Sequence, residues 1–262
     1  MIRRDVPRQT QPLSHWLLIS QIEHARISHQ LAKAWQPEEI PSTARGEFLA
    51  AVLHHDDGWN DWQTAPRIDP EHGRPYGFTE MPPALAQEIW SLSIDACRAL
   101  GPLAAWMVAS HFIQLQSKPD DNLEAWQPWL DKQDRRRTAW LAEWQAIDSQ
   151  NNTQAVADRC LYLLQQFDWL SLWLCCRAPV DSRDPRETLE LGAAERNLGP
   201  YAFTPNGQQI EVSPWPFSEP KLEILANATW VEPGVYHTPS DILSKPTRAA
   251  WRLQPGNSGA SG

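Results

Sequence analysis

Apolar residues recur every three or four positions through most of residues 1–178, the spacing that places them on one face of an α-helix. This pattern predicts helices at residues 14–35, 43–56, 83–100, 102–117, 123–148 and 153–176. Residues 57–82 lack the period but contain four aromatic side chains among prolines and glycines. Loops of that length in compact domains are usually functional, so we expect this segment to contribute to a site.

The pattern changes after residue 178, where short apolar runs alternate with prolines and glycines. These runs predict strands at residues 187–191, 208–213, 222–231 and 249–253. We therefore expect a mainly α fold, with a helical bundle at residues 14–178 and a C-terminal β-rich extension at residues 179–255 packed on it. Residues 256–262 are expected to form a flexible tail.

Several ionisable residues lie where a helix should be apolar. His24 is seven residues from both Leu17 and Leu31, so it falls in the middle of an apolar stripe. Asp168 takes the same position in the sixth predicted helix, and His111 does so in the fourth. A buried charge without a partner costs several kcal/mol, so these side chains should face one another or a cation.

A His-Asp doublet, His55 and Asp56, ends the apolar face of the second predicted helix. The 31 residues from His24 to His55 allow one helix, a turn and an antiparallel return. If these helices converge with Asp168, they supply two imidazoles and two carboxylates. This mixed nitrogen and oxygen set suits a divalent transition metal, Mg²⁺ or Mn²⁺, and leaves coordination positions for water and substrate.

The overall charge restricts the classes of partner. With 23 basic and 32 acidic residues the chain carries a net charge of −9, which argues against general binding to nucleic acids or anionic membranes. The apolar run at residues 16–19 is too short for a signal or membrane segment. Four cysteines without a C-x-x-C pair predict reduced thiols. We therefore expect a cytoplasmic protein with a small-molecule partner, and we make no prediction of its oligomeric state.

The order of the ionisable residues resembles the H…HD…D pattern of the HD-domain superfamily of metal-dependent phosphohydrolases. More narrowly, five segments look like a bacterial family known as domain of unknown function 3891. They are Q-I-E-H-A-R-I-S at 21–28, H-D-D-G-W at 55–59, P-x-x-D at 66–69, A-S-H-F at 109–112 and D-W-L-S-L-W-L-C at 168–175. The resemblance covers roughly residues 14–253 and implies an HD-domain-like helical bundle.

The resemblance also implies a ligand set and a reaction. His24, His55, Asp56 and Asp168 would bind a divalent ion, one of Mn²⁺, Fe²⁺, Mg²⁺, Zn²⁺ and Ni²⁺. The ion would lower the pKa of a bound water so that hydroxide attacks phosphorus. His111 matches the additional histidine that some relatives use for a second metal or a substrate phosphate, so it is a candidate both for metal binding and for catalysis.

Further residues are candidates by their position next to this set. Asp57 directly follows the doublet and could orient the attacking water or act as an acid or base. Trp59 and Trp62 could wall the pocket and stack on a planar substrate, and Arg26 could bind the substrate. Other basic residues could also contact a phosphate, and the spacing selects none of them: Lys33, Arg45, Arg67 and Arg74.

Three functions follow from this set. The leading expectation is a metal-dependent hydrolase of a small phosphorylated substrate such as a nucleotide. The first alternative is a di-iron oxygenase on the same scaffold, which needs extra histidines; His111 supplies one and His72 is the second candidate. The other alternative is a non-enzymatic binding or scaffold protein with a relic metal site.

Overall fold

In a computed structural model the described residues are 1–6, 15–36, 40–116, 123–178, 189–191, 201–207, 209–242 and 245–256. The helices are α1 Gln21–Ala34, α2 Ser42–His54, α3 Asn60–Thr64, α4 Pro83–Arg98, α5 Pro102–Gln116, α6 Leu123–Ile147, α7 Gln154–Cys176 and α8 Pro239–Ile242. A 3₁₀ turn at Asp57–Trp59 joins α2 to α3. Five of the six predicted helices are confirmed, each with ends within two residues of those observed.

The strands are β1 Ile2–Val6, β2 His15–Ile19, β3 Ile68–Asp69, β4 Arg74–Pro75, β5 Leu189–Leu191, β6 Tyr201–Asn206, β7 Gln209–Ser213, β8 Leu222–Val231 and β9 Pro246–Pro255. Within the described ranges, seven of them form one mixed sheet in the order β1-β2-β8-β9-β7-β6-β5, and β3 pairs with β4 separately. β7 and β9 run parallel, whereas the other neighbours in this sheet are antiparallel.

This sheet makes the protein an α/β fold, and the expectation of a mainly α, HD-domain-like bundle with a C-terminal β-rich extension is wrong. The reason is the origin of the strands. β1 and β2 come from the N-terminal residues, and β2 pairs with β8, where Leu17 lies opposite Trp230. The sheet therefore joins both ends of the described chain and is not an appendage to the helices.

The first predicted helix, at residues 14–35, is wrong over its first residues. Residues 15–19 form β2, in which Leu17, Leu18 and Ile19 are all buried. The helix begins only after Ser20, whose Oγ accepts a hydrogen bond of 3.1 Å from the backbone N–H of Glu23. A serine followed three residues later by glutamate is a helix-start signal, and the continuing seven-residue spacing of apolar residues obscures it.

The C-terminal strand predictions agree with the structure where the structure describes them. The strand predicted at 222–231 is β8, and those at 208–213 and 249–253 overlap β7 and β9. Of the strand predicted at 187–191 only residues 189–191 are described, as β5. β6 was not predicted. The flexible tail expected at 256–262 lies, apart from Gly256, outside the described residues.

Side-chain alternation explains how the sheet meets the helices. Ile224, Ala226 and Ala228 of β8 are buried at every second position, as are Ala249, Trp251 and Leu253 of β9. These side chains share the largest core cluster with residues of the long helices. The sheet thus closes one side of the helical core.

Hydrogen bonds hold α1 on the sheet. The Gln30 side chain exchanges two hydrogen bonds with the backbone of Leu225 in β8, at 2.9 and 3.2 Å. The buried Glu23 carboxylate accepts a hydrogen bond of 2.8 Å from the backbone N–H of Asn227. α1 is therefore fixed along β8.

A second set of hydrogen bonds fixes α7. The buried Arg4 of β1 donates to the carbonyl oxygen of Leu174, at 3.3 Å, and to that of Ala178. Leu174 lies in the last turn of α7, where backbone acceptors lack helical partners, and Ala178 lies two residues after its end. Both α1 and α7 are thus anchored by the sheet.

None of the helices within the described ranges combines the length and the apolar character needed to cross a membrane.

Candidate metal centre

Three helices bring the predicted ligands together in the interior. His24 lies on α1 and Asp168 on α7, and their Nε2 and Oδ1 atoms are 2.8 Å apart. His55, at the end of α2, places its Nε2 3.3 Å from the same Asp168 oxygen. Ligand-type atoms of these three residues all lie within 4.8 Å of one another. Asp56 Oδ2 is 3.8 Å from His24 Nε2 and 3.7 Å from His55 Nε2.

Small residues let α1 and α7 approach closely at this point. Ser28 and Ser171 are fully buried, and their hydroxyl oxygens are 2.8 Å apart. Ser28 is one helical turn after His24, and Ser171 is three residues after Asp168. The crossing therefore places the imidazole and the carboxylate side by side.

The orientation of the His55 ring leaves one nitrogen available. Its Nδ1 donates a hydrogen bond of 2.8 Å to the carbonyl oxygen of Val52, because a carbonyl can only accept. Nε2 is buried and has no hydrogen-bond partner among the described residues. A buried Nε2 that faces two carboxylates without a hydrogen bond fits a metal ligand, with the ion taking the place of a proton, since ligating histidines commonly donate their other N–H to a carbonyl.

His24 is oriented in the same manner by Ser171. The Ser171 hydroxyl hydrogen-bonds to the carbonyl oxygen of Asp168 at 2.9 Å and to Nδ1 of His24 at 2.7 Å. Nε2 is then the nitrogen directed at the Asp168 carboxylate. Ser28 and Ser171 were not predicted as site residues from the sequence. Their signal is a serine within one helical turn of a predicted ligand, on a stripe that is otherwise apolar.

Burial and the contacts among these residues shift the pKa values of the cluster in different directions. Burial by itself lowers the pKa of His55, but the carboxylates of Asp56 and Asp168 outweigh it and raise that pKa to about 9. Burial raises the pKa of Asp56, although the two imidazoles oppose this. Burial also acts to raise the pKa of Asp168, yet contacts with His24 and His55 hold it well below its usual range. Asp168 is therefore the negative centre of the cluster, a position that suits a cation.

His111, on α5, borders the four residues. Its Nε2 lies 3.7 Å from Asp168 Oδ2, and its Nδ1 is buried without a hydrogen-bond partner in the described structure. Burial lowers the pKa of His111 to about 4, so the ring is a neutral imidazole at physiological pH. The residue can therefore act as a neutral hydrogen-bonding group beside the cluster.

A cavity of about 520 Å³ opens onto this cluster. His24, Asp56, His111 and Asp168 line it at the cluster. Most of the remaining lining is apolar, and its aromatic members are Trp59, Phe78, Trp90, Phe112, Trp126 and Trp169. A small molecule in the cavity would thus contact the cluster at one side and aromatic rings elsewhere.

The other residues predicted beside the doublet have different positions. Trp59 lines the cavity, but Trp62 does not; it packs against Trp59 with ring centroids 5.4 Å apart and lies beneath the guanidinium of Arg67. Asp57 Oδ2 is 2.8 Å from Nδ1 of His54, and Asp57 is not among the described residues that line the cavity. The structure therefore brings Trp59 to the cavity and turns Asp57 toward His54.

The basic candidates do not line the cavity, whose described lining contains no arginine or lysine. Arg26 pairs with Glu23, and its side chain is half exposed. Arg74 pairs with Glu80, and Arg67 covers Trp62. No basic candidate is thus placed to meet a ligand there.

His72, the second histidine of the oxygenase alternative, lies outside the site. Its Nδ1 is 2.6 Å from Asp69 Oδ2 in the β3–β4 hairpin, and half of its side chain is exposed. His111 is therefore the one of these two histidines that reaches the cluster.

Fold and site together define an α/β protein with a buried cluster of two histidines and two aspartates at an aromatic cavity. The family model described as Protein of unknown function (DUF3891) matches residues 6–232, and the chain belongs to this family. No curated protein and no solved structure matches the chain.

Proposed function

We propose that this protein is a divalent-metal-dependent hydrolase whose site, although not its fold, is of the HD-domain type. The observation that carries the proposal is the orphaned Nε2 of His55, which faces the carboxylates of Asp56 and Asp168 while Nδ1 is tied to a backbone carbonyl. The chain order of His24, the doublet and Asp168 supports the HD-domain type, because that order characterises the superfamily it resembles.

Each residue of the site has a role in this proposal. His24, His55, Asp56 and Asp168 would hold the ion. When bound, such an ion supplies Lewis-acid activation of water for hydrolysis. The neutral ring of His111 borders the cavity, where it can hydrogen-bond to a substrate. The aromatic walls exclude bulk water, which strengthens polar interactions inside the cavity.

The geometry gives less support to a phosphorylated substrate, because the described lining holds no basic side chain. It also favours hydrolysis over the di-iron alternative, because His72 is bound to Asp69 outside the site. The proposal is therefore for hydrolysis, with the bond that is cleaved left to the experiment.

The test is elemental analysis of protein purified without chelators or a histidine tag, for wild type, Asp168→Ala and Asp95→Ala. Asp95 is an exposed aspartate of α4 that pairs with Arg136, so it is a matched control. We expect about one divalent ion per chain in wild type and in the control, and none in Asp168→Ala. Absence of metal from wild type after reconstitution with Mn²⁺ or Fe²⁺ would overturn the proposal.

Activity is then measured on loaded wild type with chromogenic carboxylic esters and phosphoesters. Hydrolysis that is lost in Asp168→Ala supports the proposal. Bound metal without hydrolysis of any compound contradicts it and favours a binding protein. About two ions per chain, with iron and oxygen consumption, favours the oxygenase.

A further inference from the structure

We infer that the cavity takes an uncharged ligand with a flat apolar group and a neutral hydrogen-bonding group, in preference to a phosphorylated anion. The inference rests on the proposed function in that this ligand would be the hydrolase's substrate. It is carried by the charge, shape and unpartnered polar atoms of the cavity.

The charge balance of the cavity leaves no compensation for an anion. The carboxylates of Asp56 and Asp168 are the acidic lining groups, and the described lining contains no lysine or arginine. A divalent ion would neutralise two carboxylates, while the imidazoles that bind it would be neutral. A phosphate carrying one or two further negative charges would be desolvated among aromatic rings without a countercharge, which is unfavourable.

The apolar wall is built from rings that are already packed together. Trp90 of α4 stacks on Phe112 of α5 with centroids 4.9 Å apart and an interplanar angle of 7°. Trp126 of α6 lies 5.0 Å from Trp90. Because three helices contribute to this packing, the wall is preformed. A flat apolar group matches such a surface, and the cavity of about 520 Å³ has room for a fused pair of rings.

Two buried polar atoms in the lining lack partners. Gln21 Oε1 and His111 Nδ1 have no hydrogen bond among the described residues, although both side chains are almost fully buried and line the cavity. An unsatisfied buried polar atom is costly, so a ligand gains affinity if its binding turns either side chain toward it and pairs with that atom. The Gln21 carboxamide carries no charge, and the imidazole of His111 can donate or accept a hydrogen bond. They therefore suit a hydroxyl or amide group of an uncharged ligand.

The mouth of the cavity is also apolar. Trp169 directly follows Asp168 and is 57% exposed, and Leu115 of α5 is 45% exposed. Both line the cavity, so the exposed apolar surface is continuous with its interior. This continuity favours a ligand whose apolar part extends from the interior to the mouth.

The test compares two probes that share one ring system, 2-naphthol and 2-naphthyl phosphate. Binding is measured by isothermal titration calorimetry, with the metal-free protein and with the protein loaded with Mn²⁺. We expect 2-naphthol to bind at least tenfold more tightly than 2-naphthyl phosphate in both states. Equal or tighter binding of the phosphate to the loaded protein would overturn the inference.

Variants locate the binding. Trp169→Ala removes an exposed ring at the mouth and should weaken 2-naphthol binding about tenfold. Gln21→Leu should weaken it by a similar factor through loss of the carboxamide. Leu92→Ala is the control, because Leu92 is 51% exposed on α4 and is not among the described lining residues. If Leu92→Ala weakens binding as much as Trp169→Ala does, 2-naphthol binds elsewhere and the inference fails.

The readouts separate this inference from the proposed function. Preferential binding of the phosphate by a metal-loaded, hydrolytic protein refutes the ligand class and leaves the hydrolase intact. Preferential binding of 2-naphthol by a protein that takes up no metal supports the ligand class and refutes the hydrolase.

Discussion

Ser171 shows how a single hydroxyl can set the geometry of two proposed ligands. It hydrogen-bonds to Nδ1 of His24 and to the backbone carbonyl of Asp168, and the Ser28 hydroxyl lies 2.8 Å away on the facing helix. This arrangement fixes the plane of the imidazole and directs Nε2 at the Asp168 carboxylate, where a metal would bind. Ser171 therefore acts as a positioning residue that holds the imidazole.

Replacing this hydroxyl should weaken metal binding without removing a ligand. In Ser171→Ala the His24 ring loses its orienting partner, and changes of this kind cost about 10–100-fold in metal affinity. The measurement is competition with a chromophoric chelator for Mn²⁺ or Zn²⁺. Ser110→Ala is the matched control, because Ser110 is also fully buried but accepts its hydrogen bond from Arg137 of α6. Equal affinity in wild type and Ser171→Ala would contradict the positioning role.

At the scale of single residues, the sequence predicts the proposed metal ligands better than it predicts the serines that orient them. His24 and Asp168 are recognisable because a polar residue in an apolar stripe requires a partner. Ser171 and Ser28 are equally buried, but a small hydroxyl in a helix can satisfy itself on a preceding carbonyl and so requires none. Only the crossing of α1 and α7 shows that these hydroxyls meet at the ligands.

At the scale of elements, the 3₁₀ turn after the doublet depends on a glycine. A Cβ at Gly58 would lie 1.9 Å from the carbonyl oxygen of Ile89 in α4, and the Gly58 N–H donates to Ser93 Oγ at 2.9 Å. The backbone of the turn thus lies directly against α4. This close approach explains why glycine follows H-D-D, and it carries Trp59 to the cavity.

Gly58→Ala should therefore destabilise the protein. A methyl group there must displace α4 or the turn, and overpacking of this kind costs about 1–3 kcal/mol of unfolding free energy. Gly46→Ala is a control that should stabilise the protein, because Gly46 is an exposed position within α2 with open space around it. Alanine at this position should add about 0.5–1 kcal/mol to the free energy of unfolding. Urea denaturation measures both, and a Gly58→Ala variant as stable as wild type contradicts the packing argument.

A carboxylate joins the N-terminal strand to the β3–β4 hairpin. Glu80 accepts from Arg3 of β1 at 2.8 Å, from Arg74 of β4 at 2.9 Å and from the N–H of Gly77 at 2.7 Å. The hydrogen bond from Arg3 is the largest cause that lowers the pKa of Glu80 below its usual value of 4.5. Because the folded pKa is the lower one, the stabilisation is complete above pH 4.5 and is lost as the pH falls through the folded pKa.

Glu80→Gln should lower the unfolding free energy by about 1 kcal/mol at pH 7, since it weakens a small charged network. The difference from wild type should shrink as the pH falls below 4.5, where Glu80 itself becomes protonated. Denaturant titrations at several pH values measure this difference in unfolding free energy. Glu88→Gln, at an exposed position of α4, serves as the control. A Glu80→Gln difference that is constant down to pH 3 would contradict the assignment.

Local sequence patterns predict some helices and strands better than others. The long helices are recognisable because each carries its own apolar period, and β8 and β9 because their inward positions alternate. β1 and β2 lack such a local signal. β1 pairs with β2, and the other partner of β2, β8, lies more than 200 residues away in sequence. A four-residue apolar run before a helix is equally compatible with an extension of that helix. The mainly α expectation fails for this reason.

At the scale of the whole molecule, the sheet and the metal centre share the same helices. α1 carries His24 and is bound to β8 through Gln30 and Glu23. α7 carries Asp168 and is bound to β1 through Arg4. Ordering the cluster therefore also fixes the two helices that rest on the sheet, so the helices and the sheet should unfold together.

This coupling predicts that a divalent ion stabilises the whole chain. An ion at 100 times its Kd adds about 2.7 kcal/mol to the unfolding free energy, because it binds the folded protein alone. For a chain of this size that raises the thermal midpoint by about 5–10 °C. Asp168→Ala should show no shift on addition of the same ion. Circular dichroism in the far and near ultraviolet should report one coincident transition that moves as a unit. Two transitions, with the ion shifting only one, would mean that the sheet does not support the metal centre.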